Sequence, residues 1–399
     1  MASLLTDLTP EHSTDLPESA DVVVIGGGVI GMSVAYHLVE AGVQNVVLLE
    51  RGALGAGSSA KPLGGVRGTF SDPNNIRLGR HSLAKFRDFE STHGIDISFR
   101  EVGYLFLCRT PEELAACEAS VELQNSLGGN SRMVSPHEAQ RINPYIAPGA
   151  LLGAQFSPED GLACPRSVVD GYASLSKELG LVIADRTQVT GIEASNGSVE
   201  SVQTSRGTIR TTSVICCAGA WSASIGNMVG VDLPVVPVKR QIGITRPDGG
   251  PTPPVIPFTL DLGTTMYFHN YDDQLLLGIS NPGQEKGFDR DFSFDWVPDF
   301  NASAEICAPA LSDRELEHGW AGLYENTPDR NALIGASEDV RGFSYATGFS
   351  GHGFLQAPGV GEIMADLHLG RESFMDASGF SAERFSCQNV PQLNEVHII

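Results

Sequence analysis

Basic residues are scarce in this sequence, and their scarcity excludes several kinds of partner. The 399-residue chain carries 26 Lys and Arg against 48 Asp and Glu, a formal net charge of −22. Nucleic acids and anionic membrane surfaces are bound through clusters of Lys and Arg, so neither is expected as a partner. The length is enough for a large core and about two domains.

Long hydrophobic runs and paired cysteines are also missing. No apolar run reaches the ~18 residues of a membrane-spanning helix, so no span is expected. The seven cysteines form no CxxC pair, which indicates a reducing, cytoplasmic location, and no metal site is expected. Cys216 and Cys217 lie together in an apolar run and are interpreted as buried. The acidic segment 1–19 lacks the features of a secretory signal and is interpreted as a flexible tail.

Segment 21–50, DVVVIGGGVIGMSVAYHLVEAGVQNVVLLE, has the pattern of a βαβ unit that binds a dinucleotide. Val22–Ile25 is the continuous apolar run expected of a buried parallel strand. An apolar helical stripe and a second apolar strand follow, and Glu50 closes that strand nineteen residues after Gly31. The glycines have G-x-G-x-x-G spacing: Gly26, Gly28 and Gly31.

Each part of this motif has a physical role in holding a pyrophosphate. The first glycine allows a tight turn, the second lets the pyrophosphate sit on the helix N-terminus, and the third allows close helix–strand packing. A carboxylate at Glu50 accepts hydrogen bonds from ribose hydroxyls, which favours FAD or NAD over NADP. The motif alone does not separate FAD from NAD, and a purely structural βαβ unit is the alternative.

Two further segments favour FAD. Segment 51–70, RGALGAGSSAKPLGGVRGTF, is rich in Gly and Ser, as expected where backbone runs along the cofactor. Segment 188–221 has turn signals at Asn196-Gly197 and Arg206-Gly207, which predict a three-stranded meander. An apolar strand at 214–218 and the sequence AGAW follow, an arrangement typical of flavoproteins.

The third mark is segment 346–370, ATGFSGHGFLQAPGVGEIMADLHLG. Its glycine loop is expected to lead into a helix, with Pro358 in the first turn and Gly370 as the stop. A helix N-terminus carries about half a positive charge. Directed at the N1–C2=O edge of a flavin, this charge would favour flavin reduction.

Together these segments resemble the D-amino-acid oxidase/sarcosine oxidase superfamily of FAD enzymes, in particular the group similar to sarcosine oxidase β-subunits. The resemblance covers about 21–385, and its most specific parts are GGGVIG, GGVRGTF, ICCAGAW and GFSGHGF. It implies an α/β fold, in which a glutathione-reductase-type doubly wound FAD-binding domain joins an α+β substrate domain with a mainly antiparallel sheet.

The resemblance also implies domain boundaries. The FAD-binding domain would be discontinuous and the substrate domain would cover the flavin. The implied segments are 20–98, 160–232 and 331–385 for the FAD-binding domain, 99–159 and 233–330 for the substrate domain, and 386–399 for a C-terminal tail. Strands of the substrate domain would include 237–245, 264–270 and 275–280.

The activity implied by the resemblance is an FAD-dependent amine or amino-acid oxidase or dehydrogenase. Its substrate would be a small amine or amino acid, secondary or N-alkylated. Hydride would pass from the carbon next to nitrogen to flavin N5, and the imine would then hydrolyse. Electrons would go on to O2 or another acceptor, through a partner subunit in one version of the hypothesis.

The sequence departs from the family pattern at four points. Gly322 and Leu323 precede Tyr324 where a flavin-attaching Cys stands in monomeric sarcosine oxidases, and GLACPRS has no His for a second flavin. These two points imply non-covalent FAD and no FMN. Leu276 replaces the Lys that assists the reaction with O2, so a dehydrogenase using a quinone or protein acceptor stays open. Leu355 replaces a carboxylate-binding Lys.

The resemblance assigns site residues one by one. Arg67 would bind the substrate carboxylate, since an Arg fork suits a planar carboxylate, and Tyr267, Tyr324 and His352 would lie at the reacting centre. Lys61 is not assigned by the resemblance; it is a candidate cation near the flavin in place of the Lys that Leu276 replaces. Predicted cofactor-binding residues are Gly26, Gly28, Val29, Ile30, Gly31, Glu50, Arg51, Ser58, Ser59, Val189, Gly219, Trp221, Gly351, His352, Gly353, Phe354 and Leu355.

Strand periodicity adds two expectations. Tyr267 and His269 should share one face of their strand and Phe268 the other. Lys239 and Arg240 are expected as a solvated pair at a strand edge.

Three other functions stay open: a 2-hydroxy-acid oxidoreductase, an FAD-binding subunit or assembly factor of a redox complex, and an NAD-dependent dehydrogenase. Oligomeric state cannot be read from the sequence.

Overall fold

Two large β-sheets carry the fold. The structure, a computed structural model, describes residues 15–61, 63–247, 252–281, 283–386 and 395. Within these ranges no helix has the length and apolar character needed to cross a bilayer. The same residues contain no cluster of three or more His, Cys, Asp or Glu side chains suited to a metal ion.

The first sheet has six strands, five of them parallel. It comprises β1 (Val22–Ile25), β2 (Val46–Leu49), β8 (Val182–Ala184), β12 (Val214–Cys216), β18 (Leu333–Ala336) and β19 (Phe343–Thr347). The order is β18-β19-β12-β1-β2-β8, and only β18 runs antiparallel. The continuous apolar run predicted a central strand, and β1 is paired on both sides.

Alternate residues of β1 build two cores. Val22 and Val24 pack on a helical layer, whereas Val23 and Ile25 pack on the meander. The helical layer consists of α1 (Val29–Glu40), α2 (Pro73–His93), α5 (Pro165–Glu178) and α8 (Gly353–Leu369). The meander consists of β9 (Val189–Ser195), β10 (Ser198–Thr204) and β11 (Gly207–Arg210), so the three predicted strands and both turns are confirmed.

The second sheet has eight strands and is antiparallel except where β14 meets β4. Its members are β4 (Tyr104–Cys108), β5 (Arg132–Val134), β6 (Gly153–Ser157), β13 (Val236–Thr245), β14 (Phe258–Asp261), β15 (Met266–Tyr271), β16 (Gln274–Ile279) and β17 (Leu316–Asn326). The order is β17-β13-β16-β15-β14-β4-β6-β5. The mainly antiparallel sheet predicted from the sequence is therefore present.

Smaller elements complete the described chain. They are the two-stranded ladder β3 (Gly65–Val66) and β7 (Gly161–Leu162), and the helices α3 (Pro111–Ser126), α4 (Pro136–Ile142), α6 (Ser222–Asn227) and α7 (Val297–Cys307). Strands of the first sheet come from the three segments assigned to the FAD-binding domain, and strands of the second from the other two. The domain boundaries themselves stay a prediction.

The placement of Pro358 in the first turn of its helix was wrong. α8 begins at Gly353, so Pro358 lies inside the helix, where it removes a backbone donor. Two serines from neighbouring helices compensate for this irregularity. The Ser33 hydroxyl donates to the Ala357 carbonyl at 2.7 Å, and the Ser82 hydroxyl bonds backbone groups on either side of the proline.

The expectation of a solvated edge pair at Lys239 and Arg240 was also wrong. β13 is hydrogen-bonded to β17 on one side and to β16 on the other, so it is an interior strand. Cys216 and Cys217 are buried, as predicted, and no described cysteine forms a disulfide.

Gly31→Ala tests the close approach of α1 to the turn after β1. A Cβ at this position would overlap the carbonyl oxygen of Gly26 and lie 3.3 Å from the Cβ of Cys217. We expect a loss of about 1–3 kcal/mol in the free energy of unfolding, measured by denaturant titration. Gly149→Ala is the control, because nothing lies within 4 Å of its added Cβ. Equal stability of the two variants would contradict this packing.

Candidate active site

A cavity of about 450 Å³ lies between the first sheet and the second. Its wall contains every residue predicted from the sequence to be catalytic or cofactor-binding, with one exception. The exception is Gly31, which packs beneath the turn against Gly26. Residues far apart in the chain, from Ile25 to Leu355, thus meet at one place.

The glycine turn after β1 is built to receive an anion at the start of α1. Gly26 has φ +116°, and a Cβ there would overlap the Cys217 carbonyl oxygen, so only glycine fits. α1 starts after Gly28 with no capping side chain at that residue and no acidic residue in its first turn. The positive end of the helix therefore points into the cavity wall, and no acidic side chain in the first turn of α1 neutralises it.

Glu50 and Ser59 hold this turn in place. The Glu50 carboxylate accepts from the N–H groups of Gly27 at 2.8 Å and Gly52 at 2.7 Å. The Ser59 hydroxyl accepts from the Val29 N–H at 2.8 Å. Ser58, by contrast, donates to the Leu323 carbonyl of β17 at 2.8 Å, which ties the turn region to the second sheet. A carboxylate has about four acceptor sites, so Glu50 retains capacity for ribose hydroxyls.

Trp221 forms a cationic and aromatic cluster in another part of the wall. The Arg51 guanidinium lies 3.6 Å from the centre of the Trp221 ring, and that of Arg290 lies 5.7 Å from it. The Phe288 ring stacks on Trp221 at 5.5 Å. Arg290 and Phe288 come from the chain between β16 and α7, so this cluster closes the cavity from the side of the second sheet.

Arg67 and His352 meet in the opposite part of the wall. Both are buried, and Arg67 Nη2 lies 3.2 Å from His352 Nε2. Because an arginine can only donate, Nε2 must accept, and the geometry favours a neutral imidazole with its proton on Nδ1. Arg67 Nη1 donates to the Thr69 carbonyl, and the guanidinium lies 4.3 Å from the centre of the Phe70 ring.

Asp160 supports the Arg67 loop from behind. Its carboxylate accepts from the Gly68 N–H at 2.8 Å and from the Thr69 hydroxyl. Burial raises the pKa of Asp160 to about 6, and these hydrogen bonds together with the Arg67 charge limit the rise. The sequence reasoning missed this residue, because its partners lie about ninety positions earlier in the chain.

Aromatic residues of the second sheet form the roof of the cavity. Tyr267 and Tyr324 line it, and each packs against a glycine whose Cβ would collide with the ring: Gly278 for Tyr267 and Gly351 for Tyr324. Burial raises the pKa of both tyrosines above the ordinary value, so both are protonated at neutral pH. As predicted, Tyr267 and His269 lie on this face and Phe268 on the other.

The charge of the wall is opposite to that of the whole chain. Five cationic side chains line the cavity among the described residues, against two carboxylates, although the protein carries −22 overall. The cations are Lys61, Arg51, Arg67, Arg240 and Arg290, and the carboxylates are Glu50 and Glu325. Such a cavity selects anionic ligands.

A family model described as FAD dependent oxidoreductase matches residues 21–367. The protein belongs to this family. FAD is accordingly its cofactor, and the geometry fits it: the glycine turn and α1 would hold the pyrophosphate, Glu50 the ribose, and the loop 351–355 and Arg67 would border the flavin.

Three similar proteins span nearly all of this chain. L-proline dehydrogenase from P. horikoshii, a crystal structure, has a TM-score of 0.87 and 30% sequence identity over 93% of this chain and 99% of its own. The 4-methylaminobutanoate oxidase (formaldehyde-forming) of Paenarthrobacter nicotinovorans is 26% identical over 93% of this chain. The mitochondrial pyruvate dehydrogenase phosphatase regulatory subunit of Mus musculus is 28% identical over 90%. The matches span only 46% and 42% of the last two.

Two further wall residues of this FAD-dependent oxidoreductase were missed from the sequence. Arg240 lies two and four residues before Ile242 and Ile244 on β13, so it shares a strand face with these buried isoleucines. This spacing was the sequence signal that Arg240 faces inward. Glu325 follows Tyr324 on β17, and its carboxylate would be 3.0 Å from a Cβ at Gly219. Burial raises the pKa of Glu325 to about 7, against a lowering hydrogen bond from the Phe349 backbone.

Asp160→Asn tests the support of Arg67. Because the pKa of Asp160 is about 6, the carboxylate is ionised above that pH and loses its charge below it. We therefore expect the kcat/KM of the wild type to fall as pH decreases through about 6. The variant should not show this decrease, and its kcat/KM at pH 8 should be about tenfold lower than that of the wild type. Asp88→Asn, on the exposed face of α2, is the control. An unchanged pH profile in Asp160→Asn would rule out this role.

Glu325→Gln tests the ionisation of the second buried carboxyl group. Its folded-state pKa of about 7 lies above the ordinary 4.5, so the stability of the wild type should fall as pH rises from about 4.5 to 7. The neutral variant avoids this loss. We expect its Tm to exceed that of the wild type by about 3 °C at pH 8 and to match it near pH 5. For the exposed Glu305→Gln control, the Tm difference from the wild type should not change with pH. If Glu325→Gln differed from the wild type by the same Tm at both pH values, the assignment would be contradicted.

Proposed function

We propose that this FAD-dependent oxidoreductase oxidises the carbon–nitrogen bond of a small secondary or N-alkylated amino acid. The observation that carries the proposal is the buried guanidinium of Arg67, joined to His352 beside the loop 351–355 and facing an aromatic roof. Two relatives support it by their names, because 4-methylaminobutanoate and proline are both secondary amines that carry a carboxylate.

Arg67 binds the substrate carboxylate in this proposal. An arginine offers two parallel N–H donors to a carboxylate, and a buried charge–charge contact of this kind is strong when water is excluded. His352 and Asp160 keep the guanidinium in place from two sides. Orientation of the carboxylate fixes where the neighbouring C–H and the amine nitrogen lie.

Tyr267 and Tyr324 position the amine end and exclude water. Both rings lie against glycines, so their positions are set by backbone contacts rather than by flexible side chains. Their raised pKa values exclude a role as general base near neutral pH. In this proposal the substrate amine reaches the site already neutral, so turnover should increase with pH toward the pKa of that amine.

FAD, bound without a covalent link, would supply at its N5 the acceptor for a hydride, which carries both electrons of the oxidation. The chain contributes the electrostatic setting for the reduced cofactor. α8, seventeen residues long, begins at the cavity wall with His352 as its uncapped N-terminal residue and without an acidic side chain in its first turn. The positive end of this helix stabilises negative charge in front of it.

A second candidate is an FAD-binding subunit whose flavin serves a larger complex. It is favoured by a relative named as a regulatory subunit and by the span of the chain, which is less than half of two relatives. A 2-hydroxy-acid oxidoreductase could use the same Arg67, but nothing in the cavity distinguishes a hydroxyl from an amine in its favour.

Anaerobic reduction of the bound flavin tests these candidates. The purified protein is mixed with N-methylated amino acids, proline, primary amino acids and 2-hydroxy acids, and bleaching of the flavin absorbance is followed. We expect secondary amino acids to reduce the flavin fastest. Reduction only by hydroxy acids would overturn the amine proposal, and reduction by none of them would leave the subunit candidate standing. Exposure to O2 then separates an oxidase from a dehydrogenase by the rate at which colour returns.

Arg67→Met tests the carboxylate anchor in the same assay. Loss of a charge-assisted contact of about 1.5–3 kcal/mol predicts a fall of roughly 10- to 100-fold in kcat/KM for flavin reduction. Arg67→Lys should recover part of it, because the point charge remains without the fork. Arg77→Met, on the exposed face of α2, is the matched control. Equal rates for Arg67→Met and the control would show that Arg67 does not bind substrate.

A further inference from the structure

Arg240 is placed on the cavity face of the second sheet by strand register. Val238, Arg240 and Ile242 are spaced two residues apart along β13, so their side chains share one face of the strand. In the antiparallel pairing with β17, Arg240 lies opposite Gly322. Its neighbours on this face lie opposite aromatic residues: Val238 opposite Tyr324 and Ile242 opposite Trp320. Arg240 and Gly322 both line the cavity, and the Lys61 side chain packs against Gly322.

The hydrogen-bonding capacity of Arg240 is mostly unused. Its Nη1 donates to the Lys239 carbonyl at 3.0 Å, whereas its buried Nε has no partner among the described residues. No described carboxylate pairs with it; its charged or ionisable neighbours are Tyr324, Tyr267 and the like-charged Arg330. Burial lowers the pKa of Arg240, yet an arginine keeps its proton at neutral pH.

Arg67 differs from Arg240 in this respect. Asp160 and Glu395 both offset the Arg67 charge, and His352 and Thr69 accept from its guanidinium. Arg240 has none of these anions. Arg240 is partly exposed, but its Nε is buried without a partner, and an anion that enters the cavity would supply one. The pyrophosphate is accounted for elsewhere, at the glycine turn and α1, so the anion that meets Arg240 belongs to another ligand.

We propose that Arg240 binds a second carboxylate of the substrate, so that the preferred substrates are amino dicarboxylates held between Arg67 and Arg240. This rests on the proposed function, because it assumes that the ligand over the flavin is an amino acid. Tyr324 lies next to both cations: the Arg240 guanidinium is 5.4 Å from the centre of its ring, and the charge of Arg67 also acts on its hydroxyl. A substrate that lies against Tyr324 would therefore be attracted by both guanidinium groups.

Two unreactive thioethers that differ by one carboxylate test the proposal. Thiodiacetate carries two carboxylates and (methylthio)acetate one, and each can be titrated into the FAD-loaded protein while flavin absorbance reports binding. We expect the wild type to bind thiodiacetate at least about tenfold more tightly. Arg240→Met should weaken thiodiacetate by roughly 10- to 100-fold, the loss expected for one charge-assisted contact, and change (methylthio)acetate by less than about threefold.

Control variants separate this role from a structural one. Arg240→Lys keeps the charge and should lose only part of the thiodiacetate affinity, which also covers the case in which Arg240→Met fails to hold FAD. Arg67→Lys should weaken both probes, and exposed Arg77→Met neither. A wild type that binds both probes equally, or Arg240 variants that weaken both by the same factor, would overturn the proposal. If instead neither probe perturbs the wild-type flavin and no amino acid reduces it, the proposed function itself fails.

Discussion

The contact between Arg67 and His352 is the constraint on which the active site depends. It joins the segment after the first βαβ unit to the loop that begins α8, two parts of the chain 285 residues apart. The contact needs β3, the Gly68–Asp160 bond and the start of α8 to be in register. Because both side chains are buried, displacement of either one removes a hydrogen bond from the other. This polar pair thus fixes one part of the cavity wall.

Local sequence patterns predicted the parts of the fold whose partners are close in the chain. The glycine spacing at 26–31 gave the turn, because the tight approach of Gly31 to Gly26 involves residues five apart. Strand alternation gave the shared face of Tyr267 and His269. Most candidate site residues were found through resemblance to a family, which carries information on long-range contacts that one sequence does not show. Their presence in one wall is observed, and their roles are still predictions.

The errors came from contacts between distant segments. Pro358 was placed one turn too early because proline favours helix starts, and the sequence does not reveal that Ser33 and Ser82 bond the interrupted backbone from two other helices. Arg240 was taken for an edge residue because nothing local shows that β17 covers its other side. Asp160 was missed for the same reason. Each error concerns a residue whose surroundings are supplied by distant segments of the chain.

Leu276 stands where the family resemblance places a lysine that assists the reaction with O2. This residue is fully buried on the apolar face of β16, paired with Ile244 on one side and His269 on the other. Burial already lowers the pKa of His269 to about 4, so this position disfavours positive charge. A lysine in place of Leu276 would need an anion that no described neighbour on this face supplies. Lys61 is the only lysine among the described residues of the wall, and it is exposed. The surroundings of Leu276 therefore disfavour a cation at this position, and the rate at which the reduced flavin reacts with O2 decides between the two kinds of acceptor.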